Sequence, residues 1–286
     1  METIQSEFKS IFSNTRWSDE FYRFLQIIFH LYPEDKFHYL IAATSKQKNN
    51  DEEIYKSVQK DLPSIKPFLS ELTYALPALK KQKKELARQI LQLTGAKKEI
   101  NGYLEIGSTG RYISELRKHI KVKGPIFLTN DIAPSNALGD IFERAQIPRL
   151  GTFIPLDDYK PIREDQIATE SIDLVTCNIG LHHCSPAALN DYLGSIHRIL
   201  RKGGQFIIRD HDVKTSEMAT FVSLVHTVFN LGLNVSWETD LKEYKSFKSI
   251  DEWSRIVSAV GFVDSGQRIL QDKDPSLNTL IGLTKQ

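Results

Sequence analysis

The sequence predicts an α/β fold: a doubly wound, mostly parallel sheet of seven strands, closed by an antiparallel C-terminal hairpin and preceded by an α-helical N-terminal region. Three observations carry this. No strand pattern of any length occurs in residues 1–98. From residue 100, short apolar runs bounded by Gly, Asn or Asp alternate with amphipathic segments, the pattern of strand–helix units around a parallel sheet. The last two apolar runs, near Phe262–Leu270 and Thr279–Leu283, follow one another without an intervening helical segment, as an antiparallel pair would.

The elements follow in order. Residues 18–32 read as a helix with Ser18 as N-cap, Asp19 and Glu20 in the first turn and Pro33 as the stop. Asn50 followed by Asp51, Glu52 and Glu53 marks a second helix start, because carboxylates suit the positive end of the helix dipole. A third helix runs over 79–94, with Leu79, Leu86, Ile90 and Leu93 at helical spacing and Gly95 as the C-terminal stop. The predicted parallel strands are Tyr103–Ile106, Ile126–Thr129, Thr152–Ile154, Ile172–Cys177 and Gln205–Arg209. The helix over 186–200 is the best defined: Ser185 caps it, Pro186 takes the first helical position, and Leu189, Leu193, Ile196 and Leu200 form its buried stripe. Gly203-Gly204 then breaks the chain into the next strand. We expect a helical region over 1–98, a cap or an interaction surface, and an α/β domain over 99–286. Within that domain, 213–258 is longer than one crossover helix requires, and it is rich in aromatic residues. It reads either as a lid insertion over a cleft or as core.

Composition narrows the function. Across 286 residues, 37 Lys+Arg offset 36 Asp+Glu, so no global field draws the protein to nucleic acid or an anionic membrane. No apolar stretch reaches the ~20 residues that span a bilayer. The opening Met-Glu-Thr-Ile-Gln-Ser-Glu is not the basic-then-apolar pattern of a secretion signal. Cys177 and Cys184 are too far apart for a Cys-x-x-Cys redox or zinc unit. A reduced, cytoplasmic setting is expected, with no nucleic-acid partner. The basic run Lys80, Lys81, Lys83, Lys84, continued at Lys97 and Lys98, reads as a solvated helix face.

Chemistry enters with Leu104-Glu105-Ile106-Gly107-Ser108-Thr109-Gly110-Arg111, a strand ending in an acid and a glycine turn opening a helix. Glycine permits positive φ and lets a ligand approach the backbone. A plain tight turn gives the same pattern. Asp131, after the next apolar run, stands where an acid accepts from ribose hydroxyls. Asp157 and Asp158, after the third strand, stand where an adenine amino group is read.

On these residues the chain resembles the class I, Rossmann-like S-adenosylmethionine-dependent methyltransferases, in particular the type-11-like members that act on small molecules. The resemblance covers residues 100–286. Leu-Glu-Ile-Gly-Ser-Thr-Gly is similar to the first motif Glu/Asp-x-Gly-x-Gly-x-Gly, with Thr109 and Arg111 where further glycines are usual; read one residue shorter, the loop ends on Gly110. Asn130-Asp131 resembles the ribose-binding acid. Ser171-Ile-Asp-Leu-Val-Thr-Cys-Asn-Ile-Gly-Leu-His-His183 is similar to the family's Ser-Phe-Asp-Leu-Val…Leu-His-His form. Leu200-Arg-Lys-Gly-Gly-Gln-Phe-Ile-Ile208 resembles its Leu-x-Pro-Gly-Gly segment.

The resemblance implies S-adenosylmethionine as cofactor and methyl transfer to an O, N or C nucleophile of a small-molecule acceptor. It implies that Glu105 holds the amino end of the methionine moiety, directly or through water. Gly107, Ser108, Thr109, Gly110 and Arg111 wrap that moiety, Asp131 and Ile132 take the ribose side, and Asp157 or Asp158 the adenine. Asn178, Ile179, Gly180 and His182 line the wall near the methyl. His211 and His183 are the candidate bases, His211 because Asp210 and Asp212 flank it. No metal-ligating set is expected. Two other readings remain: a non-catalytic binding protein on the same fold, and an NAD-dependent oxidoreductase. Against the second, Gly107-Ser-Thr-Gly110 is not Gly-x-Gly-x-x-Gly. A homo-oligomer through the N-terminal helices is a further expectation.

Overall fold

The computed structural model describes residues 6–29, 31–66, 76–95, 97–135, 149–178 and 180–286. In chain order its helices are α1 (Glu7–Phe12), α2 (Thr15–Phe24), α3 (Glu34–Gln47), α4 (Asp51–Ile65), α5 (Leu76–Leu93), α6 (Ile113–Leu116), α7 (Pro186–Ile199), α8 (Ser216–Gly232), α9 (Trp237–Lys242) and α10 (Ile250–Ser258). The strands are β1 (Glu99–Ile106), β2 (Lys121–Asn130), β3 (Thr152–Pro155), β4 (Ile172–Cys177), β5 (Leu200–His211), β6 (Phe262–Asp264), β7 (Ile269–Leu270) and β8 (Asn278–Lys285).

The chain separates into two compact units. A helical unit comprises Met1–Ala78, His211–Phe247 and Gln271–Leu277, and a sheet unit comprises Leu79–Asp210, Lys248–Leu270 and Asn278–Gln286. The expected insertion 213–258 thus divides at Phe247. Its α8 and α9 belong to the helical unit, and its α10 buries Ile250, Trp253 and Val257 in the sheet unit's core.

The sheet unit is the α/β fold the sequence predicts. Its strand order is β3-β2-β1-β4-β5-β8-β6, with β7 also paired to β8. The pairs β2–β3, β1–β2, β1–β4 and β4–β5 are parallel, and β6 and β7 run antiparallel to β8. The order reverses beside β1, which creates a crevice at the carboxyl ends of the strands. Alternation along each strand buries both faces. Leu104, Ile106, Phe206 and Ile208 pack with Leu193 and Ile196 of α7, while Tyr103, Leu174 and Ile207 pack with Leu86 and Ile90 of α5.

Two strands differ from expectation. The run Phe262–Leu270 forms two short strands because Asp264 folds the chain outward: its carboxylate accepts from Gly266 N at 2.8 Å and from Arg268 Nη2 at 2.8 Å. Five steps from Asp264 to Ile269 therefore face only three from Leu283 to Leu280. β2 begins at Lys121, five residues before its apolar run. That polar half pairs with Glu99–Asn101 by backbone bonds and by a Lys123–Glu99 ion pair at 2.6 Å, so no hydrophobic signal announces it.

The helical unit packs α1–α4 with α8 around Phe8, Phe21, Phe24, Phe37, Tyr55 and Phe221. The helix predicted over 18–32 starts earlier, because Asn14 rather than Ser18 supplies the cap: its side chain accepts from Trp17 N at 3.3 Å. It ends as a π-helical turn at Leu25–Phe29, and His30, inside the predicted range, lies outside the described residues. The other caps stand where the sequence places them, Asn50 accepting from Glu53 N at 2.9 Å and Ser185 from Ala188 N at 3.3 Å. No described helix is long and apolar enough to cross a membrane.

Candidate functional site

The glycine turn after β1 is held from two sides. Gly107 N and Ser108 N both donate to the Thr129 carbonyl of β2, at 2.8 and 3.2 Å. Gly107 and Gly110 have φ of 71° and 92°, the left-handed backbone that a Cβ disfavours. Arg111 N donates to Ser108 Oγ at 3.0 Å, closing the turn on itself.

Glu105 is fully buried, and its carboxylate is turned into the protein. Oε1 accepts from Tyr112 N at 3.1 Å, and Oε2 accepts from Ile113 N at 2.9 Å and from Tyr103 Oη at 3.1 Å. Tyr103 and Glu105 share one face of β1 because they are two residues apart, and Tyr103 Oη also bonds Thr176 Oγ1 at 2.7 Å. Three of a carboxylate's four or so acceptor sites are thereby used. Glu105 fixes the turn and the start of α6, a task that its place in the motif does not reveal.

Asp131 and Ile132, just past β2, are exposed, Ile132 to 74%. An apolar side chain held in the open beside a carboxylate suits one face of a nucleoside. Asp157, Asp158 and Tyr159 occupy consecutive left-handed positions, with φ of 49°, 53° and 61°. Asp tolerates this conformation, but for Tyr it is strained. Tyr159 is held there by its hydroxyl, which donates to the Gly180 carbonyl at 2.5 Å, and by edge-on contact with Tyr192 at 5.3 Å. This residue, missed in the sequence, ties the exit of β3 to that of β4. Asp157 pairs with Lys160 at 2.8 Å and lines a cavity of about 340 Å³ together with Thr129, Leu156 and Tyr192.

Asn178 follows β4 with 1% of its surface exposed, and among the described residues neither its side-chain oxygen nor its nitrogen has a hydrogen-bond partner. A buried amide left so costs about 1–3 kcal/mol for each group, a debt that a polar ligand would relieve. Ile179 lies outside the described residues. Gly180 has φ of 137°, and a Cβ there would come within 3.0 Å of Tyr159 Oη.

The histidines are engaged differently from expectation. His182 is buried, and its Nδ1 donates to both oxygens of Asp210, at 2.9 and 3.0 Å. His183, half-buried, lies against it with ring centroids 4.2 Å apart. Asp212 pairs with Lys214 at 2.9 Å, so the flanking carboxylates serve His182 and Lys214. His211, in the helical unit, donates from Nδ1 to the Ser276 carbonyl at 2.6 Å. Burial pushes the Cys184 thiol up to about 12, which keeps it protonated and inert. The basic run is solvated at Lys80, Lys81 and Lys84 but not at Lys83, which is 4% exposed and one turn before Leu86 on the face toward the glycine turn. Burial brings its ammonium down to about 8, against the attraction of Glu105 and Glu115.

Residues 152–208, from β3 through α7 into β5, match the family model described as a methyltransferase domain. None of the curated proteins matches significantly. Among solved structures, the selenomethionine-substituted CurJ carbon methyltransferase is similar at 15% identity and a TM-score of 0.50, over 94% of this chain and 70% of that one. The Burkholderia thailandensis 1,6-didemethyltoxoflavin-N1-methyltransferase, solved with 1,6-didemethyltoxoflavin and S-adenosylhomocysteine, gives 14% identity and a TM-score of 0.46 over 71% and 78%. The mitomycin 7-O-methyltransferase MmcR gives 12% identity and a TM-score of 0.49 over 99% and 74%. The matched segment resembles a methyltransferase domain, and it is set in a mostly parallel, Rossmann-like sheet of the kind class I methyltransferases share.

Proposed function

We propose that this protein is an S-adenosylmethionine-dependent methyltransferase acting on a small-molecule acceptor. The observation that carries the reading beyond the family likeness is the buried amide of Asn178, without a partner among the described residues, at the carboxyl end of β4, where open α/β sheets bind ligands. An amide offers a donor and an acceptor side by side, and an adenosine derivative answers both.

The residues fit that cofactor from end to end. Asp131 takes the ribose hydroxyls, Ile132 covers one face of the nucleoside, and Asp157 or Asp158 reads the base beside a cavity large enough to admit a ring. Gly107 to Arg111 turn backbone groups toward the methionine moiety. Glu105 serves as a positioning residue that keeps this turn in shape, beside the direct or water-mediated hold on the amino end that the resemblance implies. Gly180 and His182 close the wall after β4. When bound, the cofactor supplies an activated methyl on a sulfonium. The chain contributes alignment and exclusion of water, and proximity of this kind is worth up to ~7–11 kcal/mol in favourable models.

An acceptor hydroxyl or ammonium must also lose a proton. His183 is the side chain we assign to that task, and the Asp210–His182 pair is the support that keeps the turn at His183 rigid. A carbon or neutral amine acceptor would dispense with a base. The test is transfer of labelled methyl from S-adenosylmethionine to a library of phenols, hydroxylated heterocycles and amines, with wild type and Asp131→Ala in parallel. Turnover by wild type that falls in the variant through a raised cofactor KM supports the reading. Binding of NADH with no affinity for S-adenosylhomocysteine overturns it.

A further inference from the structure

We infer that His211 and His226 form a binding pair for a divalent transition-metal ion of the zinc class, inside the helical unit. The two Nε2 atoms stand 3.2 Å apart, with ring centroids at 5.3 Å and planes at 77°. Zinc–imidazole bonds of about 2.0–2.1 Å in a tetrahedral site put neighbouring nitrogens about 3.3 Å apart. The separation therefore fits two ligands converging on one ion as closely as it fits a shared proton.

The surroundings favour the first use. His211 donates from Nδ1 to the Ser276 carbonyl at 2.6 Å, which leaves the lone pair on Nε2, the tautomer that a metal requires. Ser276 is itself fixed, since its N and Oγ donate to Asp274 Oδ1 at 2.9 and 2.6 Å. A ligating histidine whose other nitrogen is anchored to a carbonyl, itself held by a further hydrogen bond, is the outer-shell arrangement of metal sites. His226 comes from α8 and is half-buried, which leaves one side of the pair nearer to solvent than His211. Phe247 lies against both rings, at 5.9 and 5.1 Å, and screens one side.

Without an ion, one proton must sit between the two Nε2 atoms, and His226 is its donor because His211 is held in the Nδ1–H form. An entering ion takes that place, and the proton moves to Nδ1 of His226. Two imidazoles leave coordination positions for water or for an oxygen or nitrogen ligand, and imidazole donors suit Zn²⁺, Co²⁺, Ni²⁺ and Cu²⁺ over Mg²⁺ or Ca²⁺.

The test uses the full chain without a histidine tag, treated with chelator and titrated with Co²⁺. Saturable uptake of one ion per chain with visible d–d absorption, reversed by Zn²⁺, is expected. His226→Ala should weaken it at least tenfold while leaving the circular dichroism spectrum and S-adenosylhomocysteine affinity unchanged. His211→Gln should do the same to the metal, and because His211 is buried, Zn²⁺-dependent elevation of Tm in wild type but not in His226→Ala provides the check that does not depend on its folding. Absence of saturable uptake by wild type, or uptake unchanged in both variants, overturns the proposal. Neither result bears on cofactor binding, which calorimetry reads separately.

Discussion

The imidazole of His182 donates from Nδ1 to both carboxylate oxygens of Asp210, with 2% and 0% of the two side chains exposed. The contact joins the turn after β4 to the end of β5 across 28 residues of sequence. It is a carboxylate–imidazole pair in a dry setting, where removing one partner leaves the other buried without compensation.

Asp210→Ala should therefore destabilise the sheet unit by about 1–3 kcal/mol, the cost of an unsatisfied buried donor. Urea unfolding monitored by circular dichroism measures it. His182→Phe, which removes the donor but leaves Asp210 buried, should cost at least as much. Unchanged midpoints in both variants would show that the pair adds nothing to stability.

Lys83 gives a prediction in pH. Burial brings its ammonium from 10.5 to about 8, so between these values the unfolded chain binds more proton than the folded one. Stability from this group thus rises with pH across that window, and its penalty is fully present below about 8. Lys83→Met should be more stable than wild type at pH 7, by roughly 1–3 kcal/mol, with the gap narrowing toward pH 10.5. Paired denaturation curves at pH 7 and 10 test this; a gap that stays constant or widens contradicts it.

Tyr159 joins the exits of β3 and β4, so Tyr159→Phe should loosen both. Loss of its hydroxyl removes one of two bonds to the Gly180 carbonyl, which still accepts from His183 N at 2.9 Å; that costs about 0.5–1.5 kcal/mol and frees a strained backbone turn. The expected result is a lower Tm together with weaker S-adenosylhomocysteine binding. A variant with wild-type affinity would mean that the turn is held by its backbone alone.

Asp131 is exposed, so its replacement separates binding from folding. Asp131→Ala should weaken S-adenosylhomocysteine by about 1–3 kcal/mol, the value of a charged hydrogen-bond partner, with Tm unchanged. Calorimetry and thermal unfolding on one preparation decide it, and equal affinity would mean that the ribose is held elsewhere.

The sheet was legible where its strands are apolar and its helices capped: Ile172–Cys177, the Ser185 cap and the Asn50 cap all stand as read. The polar half of β2 was not, because its pairing rests on backbone bonds and ion pairs that leave no hydrophobic trace. The start of α2 was misread because Ser18 and Asn14 are both competent caps, and tertiary packing selects between them. In the site, the order of motifs located the glycine turn and the acids, but not what Glu105 and Asp210 grip. Glu105 grips the start of α6 as well as Tyr103 on its own strand, Asp210 grips the turn after β4, and sequence proximity pointed Asp210 toward His211. Lys83 was misread as solvated with its neighbours, although it lies three and seven residues before Leu86 and Ile90 on the buried helical face.

The most direct measurement of the central claim is isothermal titration of S-adenosylhomocysteine into wild type and Asn178→Leu, with NADH as the comparison ligand. Saturable one-to-one binding by wild type, at least tenfold weaker in the variant and absent for NADH, is the predicted result. No binding by folded wild type at saturating ligand, or equal affinity with Asn178 replaced, would contradict the assignment of a cofactor to the carboxyl end of β4.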